Sequence, residues 1–273
     1  MTALLLALVV AAPPAERWRS LAPGVEYRTF ELEKRPEAGD GRLHVVRVDP
    51  ALADLDFALA SEHGGATRTA GQWADEQGFV AAINAGMYQT DYRKNVGYLR
   101  HGEHVNNGRW KSSYQSVLAF GSLDGGAPAV MVDRDAPDAG ERIAGYGSAV
   151  QNLRLLKAPG VNVWSPNGRT WSEALVAQDA QGRVLFLFTR TPFEMVELNQ
   201  RLLALPLGLV RAMHVEGGPE ASLSIRADGL KLDLSGSYET GFFTSDGNDH
   251  QWRIPNALGV RARPTVRGDG GTK

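Results

Sequence analysis

Apolar residues fall in short runs broken by glycine, proline and small polar residues, a rhythm that predicts strands. Leu43-His44-Val45-Val46-Arg47-Val48 is one such run, ended by Asp49-Pro50. Leu55-Asp56-Phe57-Ala58-Leu59-Ala60 alternates with the period of a pleated strand. Residues 117–120, 129–132, 174–177 and 184–188 are further strands, the last two joined by a hairpin loop at 178–182, and residues 230–234 alternate again. Residues 36–41 read as a turn and residues 89–108 as a polar loop with one apolar turn at 96–99.

Two segments carry helical spacing instead. Thr69 followed by Gln72 fits a capping box, Ala70, Trp73 and Ala74 make an apolar face, and Gly78 closes the helix. Thr191 and Glu194 fit a second box, with Pro192 at the first helical position. Met195, Leu198, Leu202 and Leu205 form its inward stripe, closed by Pro206 and Gly208. Each helix leads through a glycine into an apolar strand that ends in a polar residue and glycine. The first strand, residues 79–83, delivers Asn84-Ala85-Gly86; the second, residues 209–215, delivers Glu216-Gly217-Gly218. The repetition predicts pseudo-symmetric halves whose strand ends converge on one cleft. The expected fold is α+β, mostly β, with at least two helices packed on a mixed sheet.

Composition narrows the function classes. The chain has 273 residues, 43% hydrophobic and 22% charged, as an ordinary globular protein does. A net charge of −2 supplies no basic field to hold nucleic acid. With no cysteine, disulfides, thiolate metal sites and a cysteine nucleophile are excluded. Residues 3–12 are wholly apolar, as in the core of a secretory signal, and too few to span a bilayer. We therefore expect a signal segment at 1–15, a single domain at 16–263, a frayed polar tail at 264–273, and export to the periplasm or beyond, with no membrane span after signal removal.

Candidate chemistry gathers around His214-Val215-Glu216-Gly217-Gly218-Pro219-Glu220. A buried strand stops there, a carboxylate marks its end, and paired glycines permit positive φ and close ligand approach. Backbone N–H groups in such a turn can cradle an anion. The plain alternative is a tight turn with two solvated glutamates. His214 and Glu216, two apart on a strand, point to one face, so a divalent metal stays open, although a structural His–carboxylate pair is commoner. No zinc-protease, nucleophile-elbow, P-loop or dinucleotide-binding signature is present, and no cofactor is called for. Asp91 follows Asn84-Ala85-Gly86 and reads equally as a turn aspartate. Arg154, Lys157 and Arg169 suit a phosphate or open solvent. Glu173 sits at a sheet end. Trp164 and Trp171 suit a sugar-stacking wall or the core.

In order and spacing these pieces resemble the phosphodiester glycosidase family. Its strand–Asn-Gly/Ala-Gly-aromatic motif is similar to Ile83-Asn84-Ala85-Gly86-Met87-Tyr88, its Arg-Thr to Arg169-Thr170, and its Asp-Gly-Gly-x-Ser to Glu216-Gly217-Gly218-Pro219-Glu220. Gln151-Asn152-Leu153-Arg154 and the closing Arg253-Ile254-Pro255-Asn256-Ala257-Leu258 also resemble family segments, so the likeness runs from about residue 43 to 260. The family's Asp is Glu216 here and its Ser is Glu220, which moves the acid outward by about one methylene. The resemblance implies hydrolysis of a sugar-1-phosphodiester at its glycosidic C–O bond, on a carbohydrate or sugar-phosphate substrate. It assigns catalysis to Glu216 with Glu220 or Asp91. It places substrate binding on Asn84, Gly86, Asn152, Arg154, Arg169, Gly217 and Gly218, to which Glu173 and His214 are added from their places at strand ends. The departures keep two other classes open: a non-catalytic envelope module that binds glycan or phosphodiester polymer, and a metal-dependent phosphodiesterase. The oligomeric state is not written in the sequence.

Overall fold

The computed structural model describes residues 17–33, 35–241 and 245–264. The expected signal segment at 1–15 and all but the first residue of the expected tail lie outside the described residues.

Two sheets form the frame. In spatial order the larger contains Arg19–Ala22, Val25–Glu31, Arg42–Val48, Val184–Glu194, Thr170–Asp179, Leu209–Gly217, Tyr146–Lys157, Leu99–His101 and His104–Asn107. Val161–Asn162 and the hairpin of Ser116–Ser122 with Ala129–Asp133 attach to its Tyr146–Lys157 strand. The smaller sheet runs Leu230–Ser235, Ser222–Ala227, Ala81–Asn84, Asn256–Ala262 and Ala53–Leu59. Every ladder among the described residues is antiparallel, which corrects the expected mixed sheet.

The reason for the correction lies in how the two long helices are used. Ala70–Gln77 joins Ala53–Leu59 to Ala81–Asn84, and Met195–Ala204 joins Val184–Glu194 to Leu209–Gly217. Each pair runs parallel, as a helical crossover requires. Yet the paired strands are not neighbours. Asn256–Ala262 lies between the first pair and Thr170–Asp179 between the second, each antiparallel to both flanks. The recurring grammar of the sequence is thus a split strand–helix–strand unit, one in each sheet. The topology does not extend this likeness to two matching halves: one unit sits in a sheet of twelve strands, the other in a sheet of five.

Packing follows from the strand patterns. Val46, Phe186, Met213 and Val215 of the large sheet meet Phe57, Ile83, Leu223 and Leu258 of the small one in a shared core. On the other face of the large sheet, Leu185, Leu187 and Leu175 pack beneath Met195, Leu198 and Leu202 of the second long helix. On the outer face of the small sheet, Ala58, Ala82 and Ala257 receive Ala70, Trp73 and Ala74 of the first. Central strands are therefore covered on both faces, which is why Val184-Leu185-Phe186-Leu187-Phe188 reads as an unbroken apolar run. No helix among the described residues is long and apolar enough to cross a membrane.

The first capping box forms as expected: Thr69 accepts from Gln72 N, Gln72 answers to Thr69 N, and Gly78 ends the helix at φ 66°. The second does not. Residues 191–194 still belong to the Val184–Glu194 strand, and the helix starts at Met195. The would-be capping groups are engaged elsewhere: Thr191 Oγ1 accepts from Gly41 N, and the Glu194 carboxylate accepts from Asn167 N and Gly168 N. Pro192 falls at a register break, where no ladder N–H is needed. The predicted loop at 89–108 also contains two short strands, Leu99–His101 and His104–Asn107.

Candidate active site

The Leu209–Gly217 strand is central to the large sheet, paired with Thr170–Asp179 on one side and Tyr146–Lys157 on the other. It carries His214 and Glu216 to the sheet's end, where the Gly218–Glu220 turn crosses to the small sheet. Only one glycine of the pair needs its special freedom: Gly218 has φ 66°, whereas Gly217 is extended at −131°. Beyond them opens a cavity of about 550 Å³ lined by Tyr88, Tyr92, Trp164, Arg169, Trp171, His214, Glu216, Gly217, Glu220 and Glu239, with Met87, Val96 and Leu153.

Glu216 is 9% exposed, and the hydrogen bond its carboxylate accepts comes from Gly217 N at 3.2 Å, its own neighbour. Burial pushes its pKa up to about 8; neighbouring His214 offsets part of the rise, and Glu220 adds to it. Glu220 is raised too, by burial first and then by Glu239. Tyr88 is held above its usual range by burial and by Glu216 and Glu220. Tyr114 is pushed up to about 12, again by burial and then Glu216. Burial thus shifts both glutamates and both tyrosines toward their neutral forms.

Behind that floor lies a second buried carboxylate with ample company. Glu173 is fully buried; its Oε1 lies 2.5 Å from His214 Nδ1, and its Oε2 accepts from the Trp171 indole N–H. Burial opposes charge on both members of this pair. Their attraction outweighs it at His214, whose pKa is raised, and the two titrate as a unit. With Nδ1 committed to Glu173, His214 keeps Nε2 for the cavity. Also lining the cavity, Arg169, half exposed, pairs with Glu239 at 3.5 Å and lies over Trp171 at 5.9 Å.

The remaining expected residues fall into a supporting ring. Asn84, 1% exposed, donates to Glu220 O at 3.0 Å and accepts from Ser222 N at 2.8 Å, so it ties one strand end to the turn. Asn152 is buried and donates to Ala85 O at 2.9 Å. Gly86 is a glycine for lack of room: an added Cβ would lie 2.5 Å from Asn152 Oδ1 and 2.6 Å from Asn95 Oδ1. Asp91 does not line the cavity; its Oδ1 caps a turn by accepting from Arg93 N and Lys94 N. Arg154 is turned away into an ion-pair network with Asp135 at 2.8 Å and Asp133 at 3.6 Å. Its strand neighbour Leu153 faces the cavity, as alternation demands. The sequence reading missed Tyr92 and Glu239, which arrive on loops without periodicity or motif. Among the described residues no group of three or more acidic, histidine or cysteine side chains converges to hold a metal ion.

Comparison with known proteins supplies the relatives. The phosphodiester glycosidase family profile matches residues 77–261. No curated protein sequence matches the chain. Among solved structures, the fold is similar to the catalytic domain of zebrafish N-acetylglucosamine-1-phosphodiester alpha-N-acetylglucosaminidase, auto-inhibited by its pro-peptide. The TM-score is 0.63 at 11% identity, over 90% of this chain and 86% of that one. It is also similar to a hypothetical protein from Synechocystis, with a TM-score of 0.62 at 15% identity, over 93% of this chain and 64% of that one. With two thirds of its length matched, including both strand ends and the turn at the cavity floor, the chain belongs to the phosphodiester glycosidase family.

Proposed function

We propose that this protein hydrolyses a sugar-1-phosphodiester at the glycosidic C–O bond, with Glu216 as the acid and Glu220 as the carboxylate that serves the anomeric carbon. The observation that carries the reading is a carboxyl buried on the floor of the cavity with its own neighbour's N–H as hydrogen-bond donor, and burial there pushes its pKa up to about 8. A phosphodiester brings one negative charge into a recess that already holds Glu216, Glu220 and Glu239. A neutral Glu216 does not repel it, and its O–H can hydrogen-bond the departing oxygen. The leaving group is a phosphate monoester with a second pKa of about 6, so it needs a hydrogen bond more than full protonation. Arg169 and His214, the latter held by Glu173, line the cavity and suit the phosphate oxygens. Glu220 stabilises the oxocarbenium-like state and takes a proton from the attacking water. The C–O bond breaks, water's hydroxyl joins the sugar, and the phosphate monoester leaves.

The pH dependence tests this assignment. Because Glu216 must be protonated, kcat/KM falls as pH rises through about 8. In Glu216→Gln that limb disappears along with most of the activity. A wild-type profile that climbs steadily to pH 9 would reverse the role of Glu216. The apolar segment at 3–12 supports an exported enzyme acting on an envelope or extracellular glycan.

A further inference from the structure

The chain has 29 basic and 31 acidic side chains, yet residues 93–111 hold Arg93, Lys94, Arg100, Arg109 and Lys111 against a single acid, Glu103. Elsewhere many cations are spent on carboxylates, as Arg154 is on Asp135, Arg226 on Asp75 and Arg261 on Asp56. Arg93, Lys94, Arg109 and Lys111 are exposed, and among the described residues none of the four makes an ion pair. Asp91, beside them, has its Oδ1 on Arg93 N and Lys94 N. Like charges held side by side repel one another, so such a surface is most stable with an anion on it.

Three buried amides build the stretch into one surface. Asn106 donates to Arg93 O at 2.9 Å. Asn107 donates to Asn95 O at 2.9 Å and Gly97 O at 3.1 Å, and accepts from Arg109 N at 3.0 Å. Gln151 accepts from Tyr98 N at 3.1 Å and Lys111 N at 2.9 Å, and donates to Lys111 O at 2.8 Å and Tyr114 O at 2.7 Å. The backbone of residues 109–111 is thereby laid alongside residues 95–98. A further cation joins it. Trp110 stacks on Tyr98 with ring centroids 4.1 Å apart, and the Arg134 guanidinium lies over the Trp110 ring at 4.3 Å. The patch also adjoins the cavity. Tyr92 and Val96 line the recess, and Arg93 and Lys94 lie between them in the chain.

We infer that Arg93, Lys94, Arg109, Lys111 and Arg134 form a docking surface, outside the cavity, for a linear polymer with phosphodiester groups in its backbone and polyol units between them. Arginine and lysine recognise phosphate oxygens by charge-assisted hydrogen bonds, and five held cations match a ligand with evenly repeated single charges. Single-stranded nucleic acid fits less well, because it binds by stacking its bases and the Trp110 ring is already taken by Tyr98 and Arg134. A chain can lie on the patch and continue into the recess beside it; the plane of a bilayer cannot. The surface goes beyond the reaction proposed above and does not depend on it, since binding here requires no turnover.

The probe is end-labelled poly(glycerol phosphate), whose backbone is phosphodiester but which has no glycosidic bond to cleave. Fluorescence anisotropy against the full chain, repeated over a salt series, reads both affinity and the number of phosphates held. Wild type binds at about 50 mM salt, and log Kd rises with log salt at a slope of about 3, as four contacts to a single-stranded phosphodiester chain require. Replacing Arg109 and Lys111 together by alanine raises Kd by about tenfold and brings the slope down by roughly half. The melting temperature stays at the wild-type value, because neither side chain has an ion-pair partner to lose. Arg109→Lys with Lys111→Arg keeps the charges and restores binding. Absence of binding by wild type, or equal binding by the double alanine variant, overturns the inference. So does tighter binding, through the same two residues, of single-stranded DNA or of phosphatidylglycerol vesicles. Hydrolysis of a small sugar-1-phosphodiester is the same in wild type and the double variant. If wild type does not hydrolyse it at all, the proposed reaction fails alone and the binding result stands.

Discussion

Two strands end at the same recess and put buried polar side chains to opposite uses. Ala81–Asn84 ends in an amide whose oxygen and nitrogen are spent on Ser222 N and Glu220 O. Leu209–Gly217 ends in a carboxyl whose hydrogen bond comes from its own neighbour's N–H. Both side chains are buried. The difference lies in partners: a buried polar group satisfied within the protein fixes geometry, and one left short of partners is available to a ligand. Glu173 and Glu216 repeat the contrast on either side of one histidine. Glu173 has His214 and Trp171, and so holds the scaffold; Glu216 has its neighbour's N–H, and burial pushes its pKa up to about 8.

The sharpest break of this contrast is Glu216→Gln. We expect kcat to drop about 10³-fold, within the range for loss of a general acid. Stability moves the other way. A carboxyl raised from 4.5 to about 8 stabilises the fold fully below pH 4.5, and that contribution drains away as pH rises to about 8. The glutamine variant lacks this loss, so at pH 7 it gains roughly 3 kcal/mol over wild type relative to the difference measured at pH 4, read by denaturant titration at both pH values.

Next in size is the partnered carboxylate. Glu173→Ala leaves His214 buried without its counter-charge and costs about 3 kcal/mol, and activity falls further than the loss of folded protein accounts for, because His214, set against the phosphate oxygens, loses the group that orients it; paired unfolding and activity curves show both losses. Asn84→Ala removes the tie between strand end and turn and leaves Ser222 N short of an acceptor, for about 2 kcal/mol. Because the turn carries Glu220, kcat falls as well, though by less than in Glu216→Gln. Smallest is Gly86→Ala, whose new methyl meets two amide oxygens; repacking costs about 1 kcal/mol, measured as a shift in urea midpoint.

The chain itself announced some of this and concealed the rest. Strands covered on both faces reveal themselves as unbroken apolar runs, and Thr69, Gln72 and Gly78 mark a helix by local hydrogen bonding alone. The Thr191–Glu194 signal misled because both of its ends found distant partners, Gly41 and residues 167–168, that no local rule includes. The antiparallel order was hidden in part for the same reason: Asn256–Ala262 comes from the far end of the chain, whereas Thr170–Asp179 is the hairpin partner the sequence announced, and what stayed hidden was its second pairing, with Leu209–Gly217. At the site, Glu216, Glu220, Arg169, His214 and the tryptophans were legible from strand ends and residue type. Tyr92 and Glu239 were not, because their place depends on where loops close. Arg154 differs from cavity-lining Leu153 by a single step of strand alternation, which the sequence does not orient.

Hydrolysis of the sugar phosphodiester in water labelled with heavy oxygen, followed by mass spectrometry of both products, tests the proposed reaction most directly. Label is expected in the new sugar hydroxyl and absent from the phosphate monoester, because the C–O bond is the one that breaks. Label in the phosphate would mean attack at phosphorus, and would contradict the roles of Glu216 as acid and Glu220 as the carboxylate at the anomeric carbon.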